Sequence, residues 1–190
     1  MATARQIIAN ILRVDHAGEY GAIRIYQAQR LLAGRRAPDL LAFLDHALED
    51  ERRHRDTFER LMRERDIVPC RTLAFWGAGG FLLGLCTGLM GRSAILVCTE
   101  AVERTVHLHL TDHVRWLEGP DPVAAVAIAA IQVEEIEHLQ FAEDRRRRSP
   151  RVWWTGALDG LVAAATEALI WLSTYGAPSR MPGRPADSSR

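Results

Sequence analysis

Glu51-Arg52-Arg53-His54 and Glu135-Ile136-Glu137-His138 are the two stretches that decide how this chain of 190 residues folds. Each places a carboxylate and an imidazole three residues apart, so on a helix both side chains lie on one face, within reach of a common ion. A single Glu-x-x-His arises by chance in many helices. Here each copy has a matched glutamate upstream: Glu19 stands 32 residues before Glu51, and Glu103 stands 32 residues before Glu135. Two half-sites with one internal spacing read as two helical hairpins, each supplying three polar groups to a shared centre.

The neighbouring residues agree. Leu44, Leu48, Glu51, His54, Phe58 and Leu61 recur at three- and four-residue steps, as do Ile128, Ile131, Glu135, His138 and Ala142. The polar groups thus sit inside apolar stripes, where an isolated ionised carboxylate would be costly. Four buried glutamates would repel one another, whereas two divalent cations would cancel their charge and leave two neutral imidazoles. The bland alternative, glutamates neutralised by arginine or an exposed face misread as core, requires both halves to mislead in the same way. A carboxylate from each of two helices plus a Glu-x-x-His from each of two others is the inward ligand pattern of ferritin-like bundles. The expected metal ligands are therefore Glu19, Glu51, His54, Glu103, Glu135 and His138. Oxygen-rich ligands with one histidine per ion suit iron or manganese better than zinc. Glu100 rivals Glu103, but the equal half-spacing favours Glu103, and His107 one turn on could support it. His109, His16 and His46 read as structural.

Composition narrows the rest. Net charge is zero and all 24 basic residues are arginine, so nothing argues for nucleic acid, and a Schiff-base lysine or Walker-type phosphate loop is excluded. Cys70, Cys86 and Cys98 lack metal or redox spacing and read as small core residues in a reducing compartment. Residues 1–14 show no secretory signal.

Helices are expected over 5–33, 39–66, 93–117 and 122–148, broken at Arg35–Pro38, Pro69 and Gly119-Pro120-Asp121-Pro122, with Asp121 as cap and Pro122 opening the next helix. Residues 72–91 form a run of twenty without a charge, long enough to span a bilayer. A single span would put the two half-sites on opposite sides of the membrane, so an element lying in one leaflet or re-entering it is favoured, with a buried helix next. Gly80, Gly84 and Gly88 form a stripe that permits close helix approach or self-association. A second apolar helix is expected over 151–175. The Arg145–Arg148 run reads as a solvated helix end, with anionic head groups as a second use. The fold class is all-α: one ferritin-like four-helix bundle over 1–176 with added apolar helices that contact the membrane, and a disordered tail over 177–190.

The run Arg13-Val14-Asp15-His16-Ala17-Gly18-Glu19-Tyr20-Gly21-Ala22, followed by Arg24-Ile25-Tyr26, resembles the opening motif of the demethoxyubiquinone hydroxylases of ubiquinone biosynthesis. The Glu-x-x-His pairs and the glycine-rich segment follow in that family's order. The resemblance implies a di-iron monooxygenase that uses O₂ to hydroxylate the ring of a lipophilic polyprenyl quinone or quinol. It places Glu19, Glu51 and His54 mainly on one iron and Glu103, Glu135 and His138 on the other, with Glu51 and Glu135 as bridging, catalytic carboxylates. It further implies NADH as reductant and a peripheral position on the cytoplasmic face of the cell membrane or an equivalent inner-membrane surface, while a homo-oligomer and a lipid-presenting partner protein both stay open. Arg104 and Leu108-His109-Leu110 depart from that family, which carries a second glutamate and a His-His-Tyr run there. The rival functions are another di-metal oxidase and a ferroxidase or iron-storage bundle.

Overall fold

The computed structural model describes residues 3–150 and 152–173, and among these there are six α-helices and no strand. The helices are α1 (Ala4–Arg36), α2 (Leu41–Arg63), α3 (Leu73–Met90), α4 (Arg92–Leu117), α5 (Pro122–Arg147) and α6 (Thr155–Ser173). The tail expected to be disordered lies outside the described residues.

Helix starts follow local chemistry. Thr3 and Gln6 form a reciprocal capping box at α1. At α5, Asp121 accepts from the Ala124 amide at 3.2 Å and Pro122 occupies the first turn. The same Asp121 takes a two-pronged bond from Arg65 (2.6 and 2.8 Å), so the cap of α5 is also the clasp that holds the end of α2. The second helix ends at Arg63 rather than Asp66, because the chain unwinds there and Asp66 turns left-handed at φ 54°.

The helices α1, α2, α4 and α5 make the bundle. Its core is two apolar clusters with a polar layer between them. Leu40, Leu44, Ile95 and Leu96 belong to one, and Leu12, Phe58, Leu61, Leu110 and Ile128 to the other. Glu19, Glu51, Glu103 and Glu135 fall in sequence between residues of the two clusters, so each helix carries its carboxylate into the middle of the core. Asp15 meets His113, and Tyr26 meets Glu103, so α1 and α4 run antiparallel.

The third helix is continuous, without a re-entrant turn, and is fixed along one side to α1. A side chain at Gly80 would collide with the carbonyl of Gly21, and one at Gly84 with that of Ile25, so glycine is what permits the approach. Gln29 of α1 donates to Thr87 of α3 at 3.0 Å across this seam. The stripe expected at Gly80, Gly84 and Gly88 thus packs within the chain. The opposite side of α3 leaves Phe75, Leu82 and Leu89 exposed, and α6 does the same with Leu161, Trp171 and Leu172. Both helices are long and apolar enough to cross a membrane by length and composition. Trp76 donates to Ser173 at 2.7 Å, tying the start of α3 to the end of α6.

Two expectations need correction. Cys70 and Cys98 are buried, but Cys86 is exposed, because it falls on the outer side of α3. The Arg145–Arg148 run is not simply solvated: Arg146 turns back to Glu100 at 3.2 Å and Arg145 lies over the Phe141 ring.

Candidate metal centre

The bundle brings all six expected residues together. Ligand atoms of Glu19, Glu51, His54 and Glu135 lie within 4.8 Å of one another, and so do those of Glu51, Glu103, Glu135 and His138. All six are buried, and Glu51 and Glu135 belong to both groups. Glu100 is elsewhere, between Arg104 and Arg146.

The electrostatics are those of an unbalanced acidic pocket. Burial, then the neighbouring carboxylates, pushes Glu51 and Glu103 well above the ordinary carboxylate range. Glu19 is raised as well, mainly by burial. Glu135 goes the other way: burial opposes its charge, but the imidazoles of His138 and His54 outweigh it and hold the carboxyl low. Burial likewise opposes charge on His54, yet Glu135 and Glu19 together push it up to about 11. The imidazole and carboxylates are here compensating one another.

The buried polar atoms test whether metal fits. His54 Nδ1 stands 3.0 Å from Glu135 without the angles of a hydrogen bond, and His138 Nδ1, Glu51 Oε1 and Glu135 Oε2 also have no hydrogen-bond partner. Buried polar groups left unpaired are costly and rare. Four such atoms converging on one centre, two nitrogens and two oxygens, are a donor set for a divalent cation. The residues fit a metal.

The other ring nitrogens point outward to carboxylates. His138 Nε2 lies 3.0 Å from Asp50, and His54 Nε2 lies 2.8 Å from Glu134. These partners hold each ring so that Nδ1 faces the centre. Arg53 bonds both Asp50 and Glu134. Tyr26 donates to Glu103 at 2.6 Å, and burial raises the phenol well above its ordinary value, so it stays a donor. The sequence reading gives none of these a role, although Tyr26 closes the motif run Arg24-Ile25-Tyr26. The sequence carries a signal for two of them: Asp50 and Glu134 each precede a candidate ligand glutamate by one residue, one in each half.

Of the remaining histidines, His107 Nδ1 accepts from the Gln132 side-chain amide at 3.3 Å, His109 meets Glu167 at 3.0 Å, and neither joins the six. Arg104 points away from the centre to Asp159 at 2.9 and 3.0 Å, so this departure from the motif serves to tie α4 to α6.

A largely apolar cavity of about 200 Å³ reaches the centre from the side of α3 and α6. Trp76, Gly80 and Leu83 form one wall and Leu169 and Ile170 another, while Glu19, Glu51, Glu103 and Glu135 lie along its inner end.

A family model described as ubiquinone biosynthesis protein COQ7 matches residues 6–173. The chain belongs to that family. Among COQ7 relatives, a 3-demethoxyubiquinol 3-hydroxylase of Rhodospirillum rubrum is 34% identical over 167 residues, covering 88% of this chain and 77% of that one. The NADPH-dependent 3-demethoxyubiquinone 3-hydroxylase, mitochondrial, of Dictyostelium discoideum is 33% identical over 174 residues, 90% of this chain and 78% of its own. The Homo sapiens protein of the same description is 30% identical over 174 residues, with the same coverage.

Proposed function

We propose that this COQ7 protein is a di-iron hydroxylase that adds one oxygen atom from O₂ to the ring of a polyprenylated demethoxyubiquinol or demethoxyubiquinone. The observation that carries the reading is the pair of buried Glu/His groups sharing Glu51 and Glu135 at the end of an apolar cavity. Glu19, Glu51 and His54 would hold one ion and Glu103, Glu135 and His138 the other, with Glu51 and Glu135 serving both. Bound iron would supply the activation of O₂ that organic side chains lack.

The chain's own residues do the rest. The two apolar clusters keep water from the centre, and the glycine seam keeps α3 close enough to wall the cavity. Asp50 and Glu134 fix the two imidazoles, and Tyr26 holds Glu103 from behind. An apolar space of about 200 Å³ is of the order that holds one substituted ring, since a 150 Å³ apolar cavity takes up benzene. The isoprenoid tail would remain outside, against the exposed apolar sides of α3 and α6, with the protein resting on the cytoplasmic face of a membrane. The same apolar exterior is what an iron-storage bundle would lack. A reduced nicotinamide is the reductant; the mitochondrial relatives carry NADPH in their names where NADH is the sequence-based expectation.

The test is anaerobic loading with ferrous iron, then ¹⁸O₂ with a short-chain demethoxyubiquinol and a reduced nicotinamide. Labelled hydroxylated product is the expected result, with loss of product in Glu51→Gln. Iron oxidation with no labelled product would overturn the reading.

A further inference from the structure

Asp15 and His113 are buried, 98 residues apart in sequence, and meet between α1 and α4. His113 Nδ1 lies 2.9 Å from one oxygen of Asp15 and 3.1 Å from the other. Neither residue belongs to the six at the metal centre, yet both line the cavity that ends on Glu19 and Glu103. Asp15 stands one helical turn from Glu19 on α1. The contact engages only Nδ1, since one carboxylate cannot reach both nitrogens of an imidazole. Here His113 Nε2 has no hydrogen-bond partner among the described residues, while the neighbouring His109, whose ring centre is 6.2 Å away, is already engaged by Glu167.

The pairing sets the tautomer. A carboxylate at Nδ1 accepts the ring proton there, which leaves Nε2 of the neutral imidazole as a lone pair. An atom of that kind accepts from O–H and has nothing to give to a carbonyl. A hydroquinone carries ring hydroxyls that donate; the oxidised quinone carries carbonyl oxygens that only accept. Resting on the substrate reading above, we propose that Asp15 and His113 form a hydroxyl-accepting site in the cavity that selects the reduced quinol ring over the oxidised quinone. The names of the relatives differ on this point, some giving a quinol and others a quinone as substrate. The Asp15–His113 pair assigns the quinol to this chain.

Equilibrium dialysis under argon tests it, with no turnover, using a 3-demethoxyubiquinol bearing a short alkyl chain and its oxidised form as the two probes. The wild-type chain binds the quinol more tightly, by about three- to tenfold for one hydrogen bond. Asp15→Asn lets Nδ1 become the acceptor and Nε2 the donor, so the preference disappears or reverses toward the quinone. His113→Gln can still donate to Asp15 but places no ring acceptor in the cavity, and it levels the two affinities without reversing them. Helical circular dichroism identifies a variant that fails to fold, and the other then decides. Equal wild-type affinities, or a folded variant that keeps the wild-type preference, would overturn the assignment alone. Binding of neither form by the wild-type chain would overturn the substrate reading itself and this assignment with it.

Discussion

His138 on α5 directs its Nε2 to Asp50 on α2 at 3.0 Å, and Asp50 is the residue just before Glu51. The relationship is returned by His54 of α2 with Glu134 of α5, the residue just before Glu135. Each hairpin therefore orients the other's imidazole, and the six side chains of the candidate metal centre are in register only when α2 and α5 are docked. Arg53, bonded to both outer carboxylates, links the two halves of the exchange.

Asp50→Asn should weaken metal binding by about 10–100-fold, the usual cost of losing a carboxylate behind a ligating histidine. Glu134→Gln should cost less, because the Glu134 side chain is 40% exposed and water can replace it. Competition with a chelator measures both, with helical circular dichroism unchanged. Unaltered affinity in Asp50→Asn would mean that the ring of His138 is held by packing alone.

The seam between α1 and α3 predicts a contrast between two glycines. Gly84→Ala drives a methyl into the Ile25 carbonyl and should cost about 1–3 kcal/mol, as overpacked sites do. Gly160→Ala, in α6 with open space around it, should be neutral or gain up to about 1 kcal/mol from helix propensity. Urea unfolding of the two variants beside the wild type reads the difference. Equal stabilities would show that α3 can move away from α1 at little cost.

How much of this is legible in the sequence depends on distance along the chain. The six residues of the centre are legible because each pair repeats a short local pattern inside an apolar stripe, and because the 32-residue interval occurs twice. Gly80, Gly84 and Gly88 are legible as a close-packing stripe, though not their partner, since nothing local names α1. Asp50 and Glu134 share one offset in both halves but sit beside ligand glutamates of the same charge, where they read as ordinary helix-surface acids. Asp15 and His113 are beyond such reading: their meeting is set by the antiparallel register of α1 and α4. The exposure of Cys86 is not legible either, because an apolar neighbourhood in sequence does not say which side of α3 is covered.

The exposed sides of α3 and α6 bear on the membrane reading. Phe75→Ser and Leu82→Ser remove side chains that are 69% and 61% exposed, so folding should be unaffected. Each burial in a bilayer is worth up to about 1.5–3 kcal/mol, so affinity for neutral phosphatidylcholine vesicles should fall roughly tenfold or more per substitution. Adding anionic lipid should matter little, because Arg146 and Arg147 are already paired with Glu100 and Glu143. Flotation assays measure both effects, and undiminished flotation of the double variant would place the membrane contact elsewhere.

The acidic centre predicts a stability trade that depends on pH and on metal. Glu103 has its folded-state pKa raised well above the ordinary 4.5, first by burial and then by the charge of Glu135. The stabilising contribution of its bound proton is complete below about that value and is lost as pH climbs through the raised one. Glu103→Gln never loses a proton, and its amide oxygen can still accept from Tyr26. The metal-free variant should therefore be more stable than the metal-free wild type. The gap should widen from pH 5 to pH 8 by up to about 1.4 kcal/mol for each pH unit over which wild-type Glu103 would otherwise ionise. His54 also loses stabilisation as pH rises toward its folded-state value of about 11, but it does so in both proteins and cancels. Ferrous iron under argon should invert the order, since the wild type gains six donors for two ions and the variant lacks one. Thermal melts with chelator and with iron read both comparisons; a metal-free gap that narrows as pH rises would show that Glu103 is not held protonated by its surroundings.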